Sequence, residues 1–413
     1  MTDLQRQFLH ILKAAMQGNP AQAPDSLSGQ DCRALLVMAQ THRVLPMFFE
    51  AVYTWEAFRN YPALAQLRQQ VRQQVLAQTL RTGEFLQLNR LLVDAGLKPM
   101  VVKGLVCRDL YPHPDHRPSG DEDVLISPSQ LEQCQRIFEA YGLRPGMDPE
   151  ACANSYEIPY RKPGSPLYIE LHKSLFPPDS DAYGEFNRLF EGIFDRAIAL
   201  NIQGVTVWTM DYTDHLLYLL CHAFKHFLHS GFGIRQLCDI VLFANRYGQQ
   251  IHWQQVMDSC RSIRAEKFTA ALFRIGEKHL IFDPEKACYP KQWQQLAVDE
   301  SAMLEDLLSG GLYGDNTMSR KHSSNITLDA VVAHKQGKKP NASLLVSLFP
   351  SADKLQGRYP YLKGKPYLLP VAWCSRILTY RAQTQSDPNN TPADALKIGK
   401  NRVALMKQYE IIP

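Results

Sequence analysis

The chain has 413 residues, 45% of them hydrophobic and 21% charged, a composition that points to two or three globular domains with buried cores and excludes a disordered or fibrous chain. Its net charge of +4 is too small for a dedicated nucleic-acid binder, which concentrates basic residues in a stripe, and no apolar run approaches the roughly 20 residues of a membrane-spanning helix. Nine scattered cysteines without a CxxC pair give no zinc ribbon or thioredoxin-like motif, and fit a reducing, cytoplasmic setting. The first 16 residues lack the layout of a secretory leader. They read as an amphipathic helix with Leu4, Phe8, Ile11 and Leu12 on one face.

Residues 1–97 are predicted helical, from apolar residues at helical spacing among strong helix formers, with Gly96 as a stop. The texture then changes. KPMVVKG reads as a short buried strand feeding a glycine turn, LVCRDLY as two helical turns, and PHPDHRPSG as a loop. DEDVLI is a second strand. SPSQLEQCQRIFEAYG is a helix entered at Ser-Pro and stopped at Gly142. NSYEIPYRKPG and SPLYIELHKSL are two strands joined by a Lys-Pro-Gly turn. Residues 98–210 therefore form an α/β unit. Helices return from Tyr212, with Thr213 as the expected cap, and run through 211–300. Residues 301–413 are a mixed, mainly helical extension, including GGLYGDNTMSR and RYPYLKGKPYLLPVAW. No repeat of fixed period is present.

The chemistry centres on acidic residues. Strand side chains alternate between faces, so Asp121 and Asp123 share one face. In LYIELHK, Ile169 and Leu171 suit the core, leaving Tyr168, Glu170 and His172 on the opposite face. Three carboxylates from neighbouring strands can hold two magnesium ions, which prefer oxygen ligands and leave room for substrate phosphates. Such a pair of ions stabilises the attacking and leaving oxygens of an in-line phosphoryl displacement.

The segment VVKGLVCRDLYPHPDHRPSGDEDVLI resembles the KG…YP…R…DxD signature of an uncharacterised bacterial nucleotidyltransferase family, a branch of the polymerase-β-like superfamily. The similarity continues through IELHKSLF and LLYLLCHAFKHFLHSGFGIRQLCDIVLFA, and covers roughly residues 35–260. The resemblance implies an α+β fold with an α/β core: a nucleotidyltransferase domain with a small mixed sheet, flanked by mainly helical segments. It implies Asp121, Asp123 and Glu170 as catalytic metal ligands for two Mg2+ (or Mn2+). Gly104 would make the turn that lets the backbone approach a triphosphate, with Lys103 and Arg117 on its phosphates. Two departures stand out. The wider superfamily has Gly-Ser where this chain has Lys103-Gly104, and an apolar residue where it has Glu122, which leaves Glu122 at the strand mouth, in water or as a competing ligand.

Other positions carry weaker signals. His215, His222, His226 and His229 fall on one helical face without the carboxylate or cysteine that would complete a zinc set, and lining the cleft is the stronger functional role for them. Asp239 could bond one of them, or serve as a cap or surface residue. His172, beside Glu170, has a better claim to stand near the metals. The basic residues of 334–340 with Lys354, Arg358, Lys363 and Lys365 read as a solvated surface, and Arg376 in LLPVAWCSRILTYR as part of a packed helix in preference to a membrane-surface contact. The expected activity is metal-dependent transfer of a nucleoside monophosphate from a triphosphate, ATP first among them, to a hydroxyl of a small molecule, sugar or protein. The rival readings are a DxD glycosyltransferase and an inactive nucleotide-binding or regulatory module of the same fold. A nucleic-acid partner is disfavoured by the low charge.

Overall fold

A computed structural model describes residues 1–311, 318–337, 352–355, 359–362, 364–384 and 392–413. Residues 312–317 of the GGLYGDNTMSR segment, Lys338, Lys339, Arg358 and Lys363, and the side chains of Lys354 and Arg376 lie outside the described residues. The chain folds as two units: Met1–Ala223 with Ile234–Glu300, and Phe224–Gly233 with Ser301–Pro413. No described helix is long and apolar enough to cross a membrane.

The first unit is built on a mixed sheet of seven strands in the order β3-β4-β5-β2-β1-β7-β6. These are β1 (Met100–Val101), β2 (Glu122–Leu125), β3 (Arg144–Pro145), β4 (Glu157–Arg161), β5 (Tyr168–His172), β6 (Ile198–Ile202) and β7 (Val205–Thr209). β2 runs parallel to β5 and β1 parallel to β7; the remaining neighbours are antiparallel. This is the α+β architecture with a mixed sheet that the family resemblance implies. A second hairpin, β6–β7, joins the one expected around the Lys-Pro-Gly turn. Its two turn residues, Gln203 and Gly204, both have positive φ (50° and 77°), the backbone of a type I′ turn that suits the strand twist.

Helix α1 (Asp3–Met16) begins at Thr2, whose side chain accepts from Gln5 N–H in a capping box, and buries Phe8, Ile11 and Leu12. The 31-residue helix α2 (Leu64–Asp94) ends at Gly96, which takes φ 81°. With α3 (Leu131–Ala140) it covers one face of the sheet. Phe85, Leu88 and Leu92 of α2 and Phe138 of α3 pack there on Val101, Val124, Ile169, Leu171 and Val207. Each such fully buried side chain contributes about 1.5–3 kcal/mol relative to exposure.

Helix α4 (Tyr212–His229) starts one residue after Asp211, whose carboxylate accepts from Asp214 N–H at 2.8 Å. Asp211 is thus the cap in place of Thr213, whose hydroxyl instead accepts from His252 N–H. Helix α5 (Ile234–Tyr247) follows and is buried along most of its length. All nine cysteines are free thiols.

The second unit pairs helices Met318–Lys335 and Pro392–Gln408. Its interior holds a polar knot: Asp306 accepts from Arg320 (2.7 Å) and Arg402 (3.2 Å), and both arginines donate to the Ser230 carbonyl. Burial pushes the Arg402 guanidinium down to about 10.

Candidate metal and nucleotide site

The parallel pairing of β2 and β5 sets Asp123 directly opposite Glu170 and Leu125 opposite His172. Since Ile169 and Leu171 are committed to the helix-covered core, Glu170 and His172 must point to the other face, as Asp123 does. One ligand atom from each of Asp123, Glu170 and His172 lies within 4.8 Å of the others. His172 Nε2 is 3.3 Å from Asp123 Oδ1 and 3.9 Å from Glu170 Oε2. Lys103 Nζ approaches the other oxygen of Asp123 at 2.8 Å. Asp121, one residue before β2 and half-buried, is outside this cluster, although its charge is felt at Glu170.

The electrostatics separate the two facing carboxylates. Asp123 is buried, yet Lys103 and His172 outweigh the cost of burial and hold it well below the usual carboxylate range. Glu170 is farther from His172, at 3.9 Å, and His172 offsets only part of what raises it. Burial, then the charges of Asp123 and Asp121, push it up to about 7. A divalent cation would relieve that repulsion, and the donors fit one: two carboxylates from adjacent strands, with an imidazole orienting the buried member.

Glu122 is resolved by the same alternation. It faces the helix-covered side, opposite in sense to Asp123, and is fully buried. Its Oε2 accepts from Leu105 N–H at 3.0 Å, at the start of the short helix Gly104–Arg108, and its Oε1 pairs with buried Arg108 at 2.5 Å. It is therefore neither at the strand mouth nor a competing ligand. Gly104 takes φ 29°, and a Cβ there would fall on the Glu122 carboxylate. Glycine is needed at this turn because the glutamate occupies the space a side chain would take.

Arg117 has different partners from the phosphate expected for it. It is buried, and its guanidinium forks onto Asp239, Nε to Oδ1 at 2.7 Å and Nη2 to Oδ2 at 2.5 Å. Tyr111 donates to Oδ1 as well, at 2.8 Å. Asp239 therefore bonds an arginine and a tyrosine, not a helix histidine. The segment that follows Arg117 is fastened from several sides. Arg235 donates to the Pro118 carbonyl, Arg81 to that of Ser119, and Gln78 accepts from Ser119 N–H. This is what fixes the approach to Asp121.

Of the histidines on α4, His215 is buried against Phe243 and shares a hydrogen bond with the Thr209 hydroxyl, which in turn donates to the Val101 carbonyl. Burial drives it down to about 3, so it is a neutral tie between helix and sheet. Another α4 residue, Tyr218, is buried within range of the charges on Asp123, Lys103 and Glu170. Glu157, opposite His172 on β4 with a carboxylate oxygen 3.8 Å from Nδ1, is a second addition. The alternation of β4 read across the hairpin would have found it; nothing local marks Tyr218.

The family model described as "uncharacterised nucleotidyltransferase" matches residues 28–280, more than half of the chain. The protein belongs to this nucleotidyltransferase family. Among solved structures, an antigenic nucleotidyltransferase-like protein from Paracoccidioides brasiliensis is similar at 14% identity, over 51% of this chain and 95% of that one, with a TM-score of 0.30. No curated protein matches. The KG turn, the carboxylates and the α4–α5 segment all fall within the part of the chain that the nucleotidyltransferase model covers.

Proposed function

We propose that the protein is a divalent-metal-dependent nucleotidyltransferase that moves a nucleoside monophosphate from a triphosphate to an acceptor hydroxyl. The observation that carries this reading is the apposition of Asp123 and Glu170 across the parallel β2–β5 pair, with His172 in the same cluster. Asp123 and Glu170 would hold the cation, Mg2+ or Mn2+, with Asp121 supplying a further carboxylate from the strand entry. When bound, the metal would neutralise charge on the reacting phosphate. Lys103 and the Gly104 turn would steady the triphosphate. The acceptor oxygen would bond to the α-phosphorus as the bond from that phosphorus to the bridging oxygen breaks, releasing pyrophosphate. Glu170 would take the hydroxyl proton.

Incubation with each α-labelled triphosphate, Mg2+ and a cell extract tests this. Label should pass to a new product with stoichiometric pyrophosphate, ATP being the first to try. Transfer of a sugar from a nucleotide sugar, or tight triphosphate binding with no turnover in any extract, would replace this reading with one of its rivals.

The raised Glu170 carboxyl gives a pH signature. Its folded pKa of about 7 lies above the ordinary glutamate value of about 4.3. Between these values the native chain binds more protons than the unfolded one, so Glu170 makes stability fall as pH rises through that window. A cation that takes the ionised carboxylate must displace the proton, so its binding tightens over the same rise. The increase in Tm produced by Mg2+ or Mn2+ should thus be larger at pH 8 than at pH 6, and Glu170→Gln should erase the difference. Equal metal effects at both pH values in the unaltered protein would remove Glu170 from the ligand set.

A further inference from the structure

Next to the Asp123–Glu170 row the sheet carries a row of different chemistry. Tyr168 on β5 is paired with Arg161 on β4, and Arg161 with Arg144 on β3. Tyr168 shares the face of Glu170, and residues paired across strands share a face, so all three stand beside the candidate metal site. An open cleft of about 680 Å³ lies over them. Arg144, Arg161, Lys162 and Tyr168 line it, with Gly120 and Asp121 on the β2 side.

The two arginines of this cleft are held in place but not neutralised. The Arg161 guanidinium stacks 4.9 Å from the centre of the Tyr168 ring. Arg144 Nη1 donates to the carbonyls of Glu139 and Leu143, each at 2.8 Å. Neither has a carboxylate partner among the described residues. Lys162 lies 4.1 Å from the Tyr141 ring centre and 3.9 Å from the Glu84 carboxylate. Two oriented guanidinium groups over an open volume suit a compact oxyanion, which they can bind through paired N–H groups. Lys103 and Gly104 stand on the β1 side of the β2–β5 pair and this row on the β4–β3 side. The two flanks therefore offer separate places for anionic groups.

We infer that this cleft is the acceptor subsite, and that the acceptor carries a phosphate or carboxylate group beside the hydroxyl it presents. The acceptor part rests on the nucleotidyl-transfer reading; the anion binding does not. The test is equilibrium dialysis of the full chain with glycerol 3-phosphate, glycerate and uncharged glycerol, each with and without Mg2+ and the non-hydrolysable α,β-methylene-ATP. At least one anionic probe should bind where glycerol does not, and should still bind with the nucleotide analogue present. Whichever anion binds more tightly identifies phosphate or carboxylate as the preferred group. Arg144→Gln/Arg161→Gln should weaken that binding at least tenfold while the affinity for the analogue stays within twofold. Arg161→Gln alone, which leaves the Arg144 carbonyl bonds intact, should show the same direction. Absence of anion binding, or binding indifferent to these arginines, would overturn the inference. So would competition between probe and analogue, or loss of analogue binding in the variants, which would assign the cleft to the triphosphate. Arginine-dependent anion binding in a protein that binds no analogue would instead sink the nucleotidyl-transfer reading and leave an anion site.

Discussion

Asp123→Asn should weaken metal-dependent triphosphate binding by at least about 100-fold, or about 2.7 kcal/mol, in a protein that still folds. The substitution keeps the shape of the side chain and removes its charge. Asp123 is the residue that Lys103 (2.8 Å) and His172 (3.3 Å) both approach, and it faces Glu170 across the strand pair. A neutral amide there withdraws the carboxylate that stays ionised most readily, leaving Glu170 and the more distant Asp121 to attract a cation. The charge of Asp123 also raises Glu170, so the variant should shift the residual metal response to lower pH. Titration of a fluorescent ATP analogue with and without Mg2+, together with thermal unfolding, reads both effects. Unchanged Mg2+-dependent affinity in folded Asp123→Asn would refute the metal assignment.

Asp239→Ala should destabilise the protein by about 3–5 kcal/mol, the cost of breaking a buried ion pair from one side. Arg117 keeps its charge under all conditions, and the alanine leaves its fork and the Tyr111 hydroxyl buried without the carboxylate that both now use. The damage should extend to chemistry, because Arg117 anchors the segment leading through Ser119 to Asp121. A urea midpoint gives the stability. A rise in the Mg2+ concentration needed for triphosphate binding gives the positional effect. A loss below about 1 kcal/mol would mean that water replaces the carboxylate at little cost, and that the ion pair does not hold the loop.

These two residues also show what a sequence can and cannot yield. The alternation of DEDVLI and LYIELHK gives the face of each carboxylate, and the strand–turn–helix texture gives an α/β unit. Which residues meet is a matter of register between strands far apart in sequence, and register is set by the whole core. Asp121 satisfies the same alternation as Asp123 but lies just outside the strand, and the cluster forms with His172 instead. Glu122 looked anomalous because the wider superfamily has an apolar residue in its place. Its partner, Arg108, comes from the preceding helix, and only packing brings the two together. Arg117, among prolines, reads as a phosphate contact because its counter-charge is supplied 122 positions later. Long-range charge pairing leaves no local pattern.

The strand order has a consequence for how the chain is made. β1 lies between β2 and β7, and its Val101 carbonyl is met by the Thr209 hydroxyl 108 residues further on. On the ribosome, the apolar β1 segment emerges long before one of its two neighbours exists. Until β7 is synthesised, the half-built sheet presents an open apolar edge, the kind of surface that recruits strands from other chains. Nascent or truncated forms ending before residue 205 should therefore need a chaperone to stay monomeric, whereas the finished chain closes that edge itself.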